Sequence, residues 1–272
     1  MAKGREARKA RKKGTPRVPR VVHRTRGAFG ELVVVDESGL RHLRSPGIDG
    51  VDQSVIVPRR PGELPTAYLR AATLGAVLAA PLERVLSIGL GGGAFARFLR
   101  RHFPRARIDV VEIDPVTVAI ARQYFGFRED ARLRLHVSDG VAFVDAAEPS
   151  RYDFVLLDAY AGPRVPRALS SRSFFERVAR LLAPGGIVAA NVGHPERRTE
   201  ERFLRRFAAS FPGGSFVVPV LAEDNRVVFG SRDPLPGRAK LLAQAACADE
   251  TGSLPFAVAP LLRRRRRLSP AH

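Results

Sequence analysis

Acidic residues are scarce in this chain: 27 Asp and Glu stand against 46 Lys and Arg in 272 residues, a formal net charge of +19. Cysteine is scarcer still. Cys247 alone excludes a disulfide framework and a Cys-rich metal site, and reads as a small apolar residue in a protein of a reducing compartment. The histidines, His23, His42, His102, His136, His194 and His272, show no ligand spacing, so no zinc or iron centre is expected. No apolar run reaches the ~20 residues of a membrane span. The longest, Ala71 to Leu82, is interrupted by Thr73, Gly75 and Pro81. The N-terminus lacks the apolar core of a secretory signal, which leads to the expectation of a soluble, cytoplasmic protein without membrane contact. No internal repeat, Ser-His-Asp constellation or phosphate loop ending in Gly-Lys-Ser/Thr is present.

Much of the positive charge sits at the ends. Residues 1 to 26 hold eleven Lys or Arg against Glu6 alone, and Arg263 to Arg267 are consecutive arginines. Such runs repel themselves and read as disordered tails. They could hold nucleic acid by counterion release, but no aromatic interleaving supports base stacking. Arginine outnumbers lysine 41 to 5, alongside much Ala, Gly, Pro and Val, as a GC-rich coding sequence gives without selection for binding.

The most informative stretch is Arg84-Val-Leu-Ser-Ile-Gly-Leu-Gly-Gly-Gly93 followed by Val110-Val-Glu-Ile-Asp-Pro115. Val85, Leu86 and Ile88 make a buried strand, and Gly89, Gly91 and Gly93 let the backbone turn and approach a ligand without side-chain collision. Glu112 lies 19 residues after Gly93 at the end of a second apolar strand, where a carboxylate can accept from both hydroxyls of a ribose. The glycine run by itself is a weak signal, since a structural tight turn would use glycine too. The spaced acid makes a nucleoside cofactor the better reading.

Along the chain, Glu31 to Val35 and Leu40 to Leu43 flank Asp36-Glu-Ser-Gly39 as a β-hairpin, and Ser54 to Val57 is a further strand. From residue 84 onward strands near 84–89, 107–113, 132–137, 152–158 and 187–192 alternate with helices, the pattern of a mostly parallel sheet covered on both faces. Ser215 to Val220 and Arg226 to Phe229 close it as an antiparallel hairpin. The expected organisation is a disordered basic tail over 1–26, a small N-terminal β annex over 27–64, a nucleoside-binding domain over 65–234, and a C-terminal extension over 235–272. That extension holds one helix near 237–248 and a disordered basic end.

In an open α/β sheet, ligands bind outside the carboxyl ends of the strands. There stand Glu112 and Asp114, Asp139 with Gly140, and Asp158 with Tyr160. Asp139 can accept from an adenine amine or cap the helix near Val141; Asp114 before Pro115 is a natural helix cap. Asp158 stands where a reacting group would sit.

Taken together, Ile88-Gly-Leu-Gly-Gly-Gly93, Val111-Glu-Ile-Asp-Pro115, Ser138-Asp-Gly140, Tyr152-Asp-Phe-Val-Leu-Leu-Asp158 and Leu182-Ala-Pro-Gly-Gly186 resemble the spermidine synthase family of polyamine aminopropyltransferases. The resemblance spans roughly residues 30 to 230. It implies a Rossmann-like class I methyltransferase fold: a mostly parallel seven-stranded sheet with a C-terminal antiparallel hairpin and a small N-terminal β annex. It also implies S-adenosylmethionine or its decarboxylated form as cofactor, no metal, a small-molecule acceptor and a homodimer. Gly89, Gly91 and Gly93 would approach the cofactor, Glu112 with Ile113 beside it would hold the ribose, and Asp139 with Gly140 would face the adenine. Gln53 and Tyr68 would contact substrate, and Asp158 with Tyr160 would form the catalytic end.

Three departures fall in the amine half of that pattern. Ala94 stands where the family has the acid that contacts the aminopropyl ammonium. Ala161 replaces the second acid of the Asp-x-x-Asp-Pro loop, and Leu64 and Pro65 replace an acidic pair. Aminopropyl transfer to an amine therefore stands beside methyl transfer from S-adenosylmethionine. An NAD-dependent enzyme shares the glycine loop, but Asp139 and the terminal hairpin argue against it. A non-catalytic nucleoside-binding protein with nucleic-acid-holding ends is the remaining reading.

Overall fold

In the computed structural model, which describes residues 18–60, 62–79, 81–161, 164–193, 196–223 and 225–268, the chain opens with four antiparallel strands. These are β1 Arg20–Gly27, β2 Gly30–Glu37, β3 Leu40–Ser45 and β4 Val51–Ile56, paired in that order. The β2–β3 hairpin turns at Ser38 and Gly39, both at positive φ (51° and 83°), which matches the twist of the strands it joins.

β1 corrects the expectation of a disordered tail reaching residue 26. Its arginines are neutralised by acids on β2: Arg20 pairs with Asp36 at 2.7 Å and Arg24 with Glu31 at 2.9 Å. His23 stacks on Tyr124 with ring centroids 4.8 Å apart. A charge count within the segment misses this, because the compensating charges arrive from the next strand. Residues 1–17 lie outside the described residues.

The main unit follows as β5 Arg84–Ile88, α2 Ala94–His102, β6 Arg107–Glu112, α3 Pro115–Tyr124, β7 Leu133–Val137, α4 Gly140–Ala146, β8 Tyr152–Leu157, α5 Arg172–Leu181, β9 Leu182–Val192, α6 Arg197–Ser210, β10 Gly214–Val220 and β11 Asn225–Ser231. Helix α1, Ala67–Leu78, precedes β5; α7 Arg238–Glu250, α8 Ala259–Arg263 and β12 Arg266–Leu268 come last. The sheet order is β12-β10-β11-β9-β8-β5-β6-β7, with β9, β8, β5, β6 and β7 parallel and the other three antiparallel.

The sheet thus has eight strands, one more than expected. The arginine run at 263–267, expected to be disordered, enters α8 and β12. β12 covers the edge of β10 from Ser215 to Val217, and Arg265 lies over the Phe216 ring at 5.5 Å. An uncovered strand leaves a row of unpaired backbone groups, and a guanidinium can stack on an aromatic face. Those two gains order a segment whose own composition argues for a solvated tail.

Strand alternation divides the core into two layers. Val85, Phe154 and Leu156 face a layer shared with α1, α2, α3, α7 and α8, whereas Leu86, Ile88, Val155 and Leu157 face α5 and α6 with Phe174, Phe175, Phe203 and Phe207. Helix α1 approaches the sheet so closely that a Cβ on Gly75 would lie 2.1 Å from the Phe154 ring. Gly75→Ala is therefore expected to destabilise the fold by about 1–3 kcal/mol in denaturant melts, against the gain in helix propensity.

Candidate active site

Strand β5 has β6 on one side and β8 on the other, so the chain reverses direction around it. Such a switch point opens a crevice at the carboxyl ends of the strands. A cavity of about 560 Å³ lies there, roofed by the β1–β2 turn and β4. Phe29, Gln53, Tyr68, Gly89, Gly91, Glu112, Ile113, Asp139, Gly140, Asp158 and Tyr160 line it, so nearly all the residues singled out in the sequence converge on one space. Gly93 is the exception: it begins α2 at φ +74° with a Cβ position 2.6 Å from the Phe127 ring, a packing position outside the lining.

Gly89 and Gly91 are glycines for tertiary reasons. At φ +102°, a Cβ on Gly89 would stand 2.2 Å from the Asp158 carbonyl oxygen. One on Gly91 would stand 2.8 Å from the Gln53 carbonyl oxygen. The loop is thus clamped between the end of β8 and the N-terminal sheet. Glu112 accepts from the Leu90 N–H at 3.1 Å through Oε2 and from the Asp114 N–H at 3.0 Å through Oε1. Burial raises its pKa, and these backbone donors oppose the rise. Both oxygens are fixed side by side and keep lone pairs for a diol.

Asp114 caps α3 through the Val116 N–H at 2.9 Å and also takes the Ala28 N–H at 3.1 Å, which pins the β1–β2 turn over the cavity. Asp139 caps α4 with Oδ1, accepting from Val141 and Ala142 at 2.8 and 3.0 Å, while Oδ2 takes no part in the cap. Ile113, 44% exposed in spite of its apolar side chain, faces the same space.

At the other end, the Tyr68 hydroxyl donates to Asp158 Oδ2 at 3.0 Å and Asn191 Nδ2 donates to Oδ1 at 2.9 Å. Burial raises the Asp158 pKa, partly offset by these two donors. Burial first, then the Asp158 charge, pushes the Tyr68 phenol well above its ordinary value, so Tyr68 stays a donor. Tyr160, expected to be catalytic, donates its hydroxyl proton to the Asn191 carbonyl at 3.1 Å and accepts from the Gly193 N–H at 2.9 Å. Burial also raises its pKa. With that proton committed to backbone, Tyr160 braces the strand end that carries Asn191.

Two residues of this end were not singled out in the sequence. Asn191, 6% exposed at the end of β9, has its Oδ1 buried without a hydrogen-bond partner among the described residues. The unbroken apolar run before it marks a buried strand, and its polar side chain within that strand was the available signal. Glu223 has no such signal. From the β10–β11 turn it takes the Ala67 and Tyr68 N–H groups and caps α1, whose own Thr66 makes no capping bond. Glu223→Ala is expected to cost about 0.5–2 kcal/mol in thermal or urea melts and to loosen Tyr68 against Asp158.

The spermine/spermidine synthase domain family matches residues 71–210. The chain belongs to this family. A polyamine aminopropyltransferase from Vibrio vulnificus is 28% identical over 242 residues, covering 88% of this chain and 80% of the relative. One from Chromobacterium violaceum is 30% identical over 208 residues, covering 75% and 77%. The solved structure of human methyltransferase-like protein 13 in complex with SAH superposes with a TM-score of 0.63 at 27% identity, covering 70% of this chain and 94% of that one. This spermidine synthase-like transferase thus has the Rossmann-like methyltransferase architecture, with the antiparallel N-terminal sheet added. Among the described residues no group of three or more His, Cys, Asp or Glu is placed to hold a metal, and no helix is long and apolar enough to cross a membrane. His194 and His272 lie outside the described residues.

Proposed function

We propose that the cavity binds decarboxylated S-adenosylmethionine and that the protein passes its aminopropyl group to an amine. The charge of the cavity supports this reading most. In a chain of net charge +19, its lining holds Asp52, Glu112, Asp114, Asp139 and Asp158 and, among the described residues, no Lys, Arg or His. Asp52 is already paired with Arg44 and His42, each at 3.0 Å. Among the described residues the other four accept only from neutral N–H and O–H donors. Such a space favours a sulfonium and an ammonium and disfavours a free carboxylate. The arginines that dominate the composition lie elsewhere, so net charge does not count against an amine substrate.

Glu112 would hold the ribose, with Ile113 and Asp139 beside the adenine and Gly89 and Gly91 leaving room for the sulfonium arm. The amine lone pair attacks the propyl carbon next to sulfur, the C–S pair departs with sulfur as neutral methylthioadenosine, and the new ammonium loses a proton. Asp158, with its raised pKa, is the base within reach, and Tyr68 and Asn191 hold it in place. Positioning supplies most of the rate for such an in-line displacement.

Methyl transfer from S-adenosylmethionine is the second reading. Ala94 and Ala161 favour it, as does the likeness to the human methyltransferase-like protein. Product analysis with each donor and a panel of amines separates the two. Methylthioadenosine released from the decarboxylated donor supports aminopropyl transfer. S-adenosylhomocysteine formed only from S-adenosylmethionine refutes it.

A further inference from the structure

A second concavity, of about 460 Å³, adjoins the cavity. The two share Gly193, and the short turn Ala168–Ser170 separates them: Ala168 and Leu169 face the first, Arg167 and Ser170 the second. Four arginines converge here from two separate segments, Arg164 and Arg167 before the turn and Arg202 and Arg206 on α6. Its acids are Glu196, which holds Arg164 at 3.4 Å and the Thr199 hydroxyl, and Glu200, which holds Arg226 at 3.0 Å. Arg167, Arg202 and Arg206 form no ion pair among the described residues. Arg202 donates only to the Thr199 hydroxyl and Arg206 only to the Ser170 carbonyl. Elsewhere arginines find carboxylates readily, as Arg41 and Arg44 do at 2.7 and 2.6 Å.

Like charges gathered around a concave surface repel one another, a cost that an anion seated among them would relieve. The groove lies close to the reacting end: Asn191, which touches Asp158 at 2.9 Å, is two residues from Gly193. Two residues of extended chain reach about 7 Å, so the edge of the groove at Gly193 lies on the order of 10 Å from Asp158. Meanwhile, in the pattern the chain resembles, the second loop acid is replaced by Ala161 and an acidic pair by Leu64 and Pro65, so carboxylates that a polycationic acceptor would use are missing.

We propose that the acceptor is an amine bearing an anionic group, a carboxylate or a phosphate, which the arginine groove holds while the amine reaches Asp158. This rests on the transferase reading above and narrows its acceptor. Spermidine and simple diamines would be poor acceptors, because their second cation would face Arg167 and Arg206.

Calorimetry on the full chain saturated with methylthioadenosine tests the idea, with 8-aminooctanoate, 8-aminooctyl phosphate and 1,8-diaminooctane as probes of matched length. At least one anionic probe should bind tenfold or more tightly than the diamine, and the tighter of the two identifies the source of the anion. The Arg167→Gln/Arg206→Gln pair should lose that preference, whereas Arg84→Gln/Arg107→Gln, at the opposite ends of β5 and β6, should keep it. Methylthioadenosine affinity should be equal in all three proteins, which shows that the variants fold. Preference for the diamine, binding of no probe, or an undiminished preference in the groove variant overturns the proposal and leaves the cofactor reading standing. Absence of methylthioadenosine binding in the unaltered protein overturns the cofactor reading and, with it, this one.

Discussion

Asp158→Asn is expected to lower turnover by about 10²–10⁴-fold, the usual worth of a positioned base, while affinity for methylthioadenosine is largely unchanged. The half-buried carboxyl lies between Tyr68 and Asn191 at the end of β8, with β5 standing between it and the end of β6 that carries Glu112. An amide fits the same space and the Tyr68 hydroxyl can rotate to suit it, so the variant should fold. Single-turnover kinetics beside calorimetry check the split; equal losses in both would make Asp158 a binding residue only.

The same substitution should change stability with a defined sign. Burial raises the Asp158 pKa above the ordinary value of 3.8. Below that ordinary value the group is protonated in folded and unfolded chains alike and costs nothing. As pH climbs toward the raised folded value, the unfolded chain ionises first, and above that value the folded state bears the cost of a partly desolvated charge. Asp158→Asn should therefore melt at a higher temperature than the unaltered protein at pH 8, and the difference should shrink toward pH 4. Turnover of the unaltered protein should fall as pH drops through the raised value, because a base must be ionised to accept a proton.

Glu112→Gln is expected to weaken methylthioadenosine binding by about tenfold to a hundredfold, the worth of one or two hydrogen bonds to a charged group. Each Glu112 oxygen already accepts a backbone N–H, one from Leu90 and one from Asp114. A glutamine must turn its own NH₂ toward one of those donors, so no orientation satisfies both. Titration calorimetry reads the effect directly, and unchanged affinity would remove Glu112 from the ribose site. Because burial raises this pKa too, affinity of the unaltered protein should decline as pH falls through the raised value.

The parallel sheet, its terminal hairpin and the gathering of Gly89, Glu112, Asp139 and Asp158 at strand ends were legible in the sequence, because each rests on a local rule: apolar periodicity, glycine where side chains collide, acids at fixed spacing after a strand. What the sequence could not decide involves partners distant along the chain. β1 orders because Asp36 and Glu31 neutralise its arginines, and β12 because the β10 edge and the Phe216 ring receive it. Gly93 serves packing against Phe127, and the Tyr160 proton is taken by the Asn191 carbonyl, so residues that look equivalent in a motif differ in what they can offer a ligand. Asn191 and Glu223 meet Asp158 and Tyr68 only once β9 and the β10–β11 turn have folded beside α1 and β8. The charge of the chain is likewise a sum over residues, whereas the charge of a site depends on where they fall. Folding puts carboxylates around the cavity and arginines in the groove beside it, a separation that composition averages away.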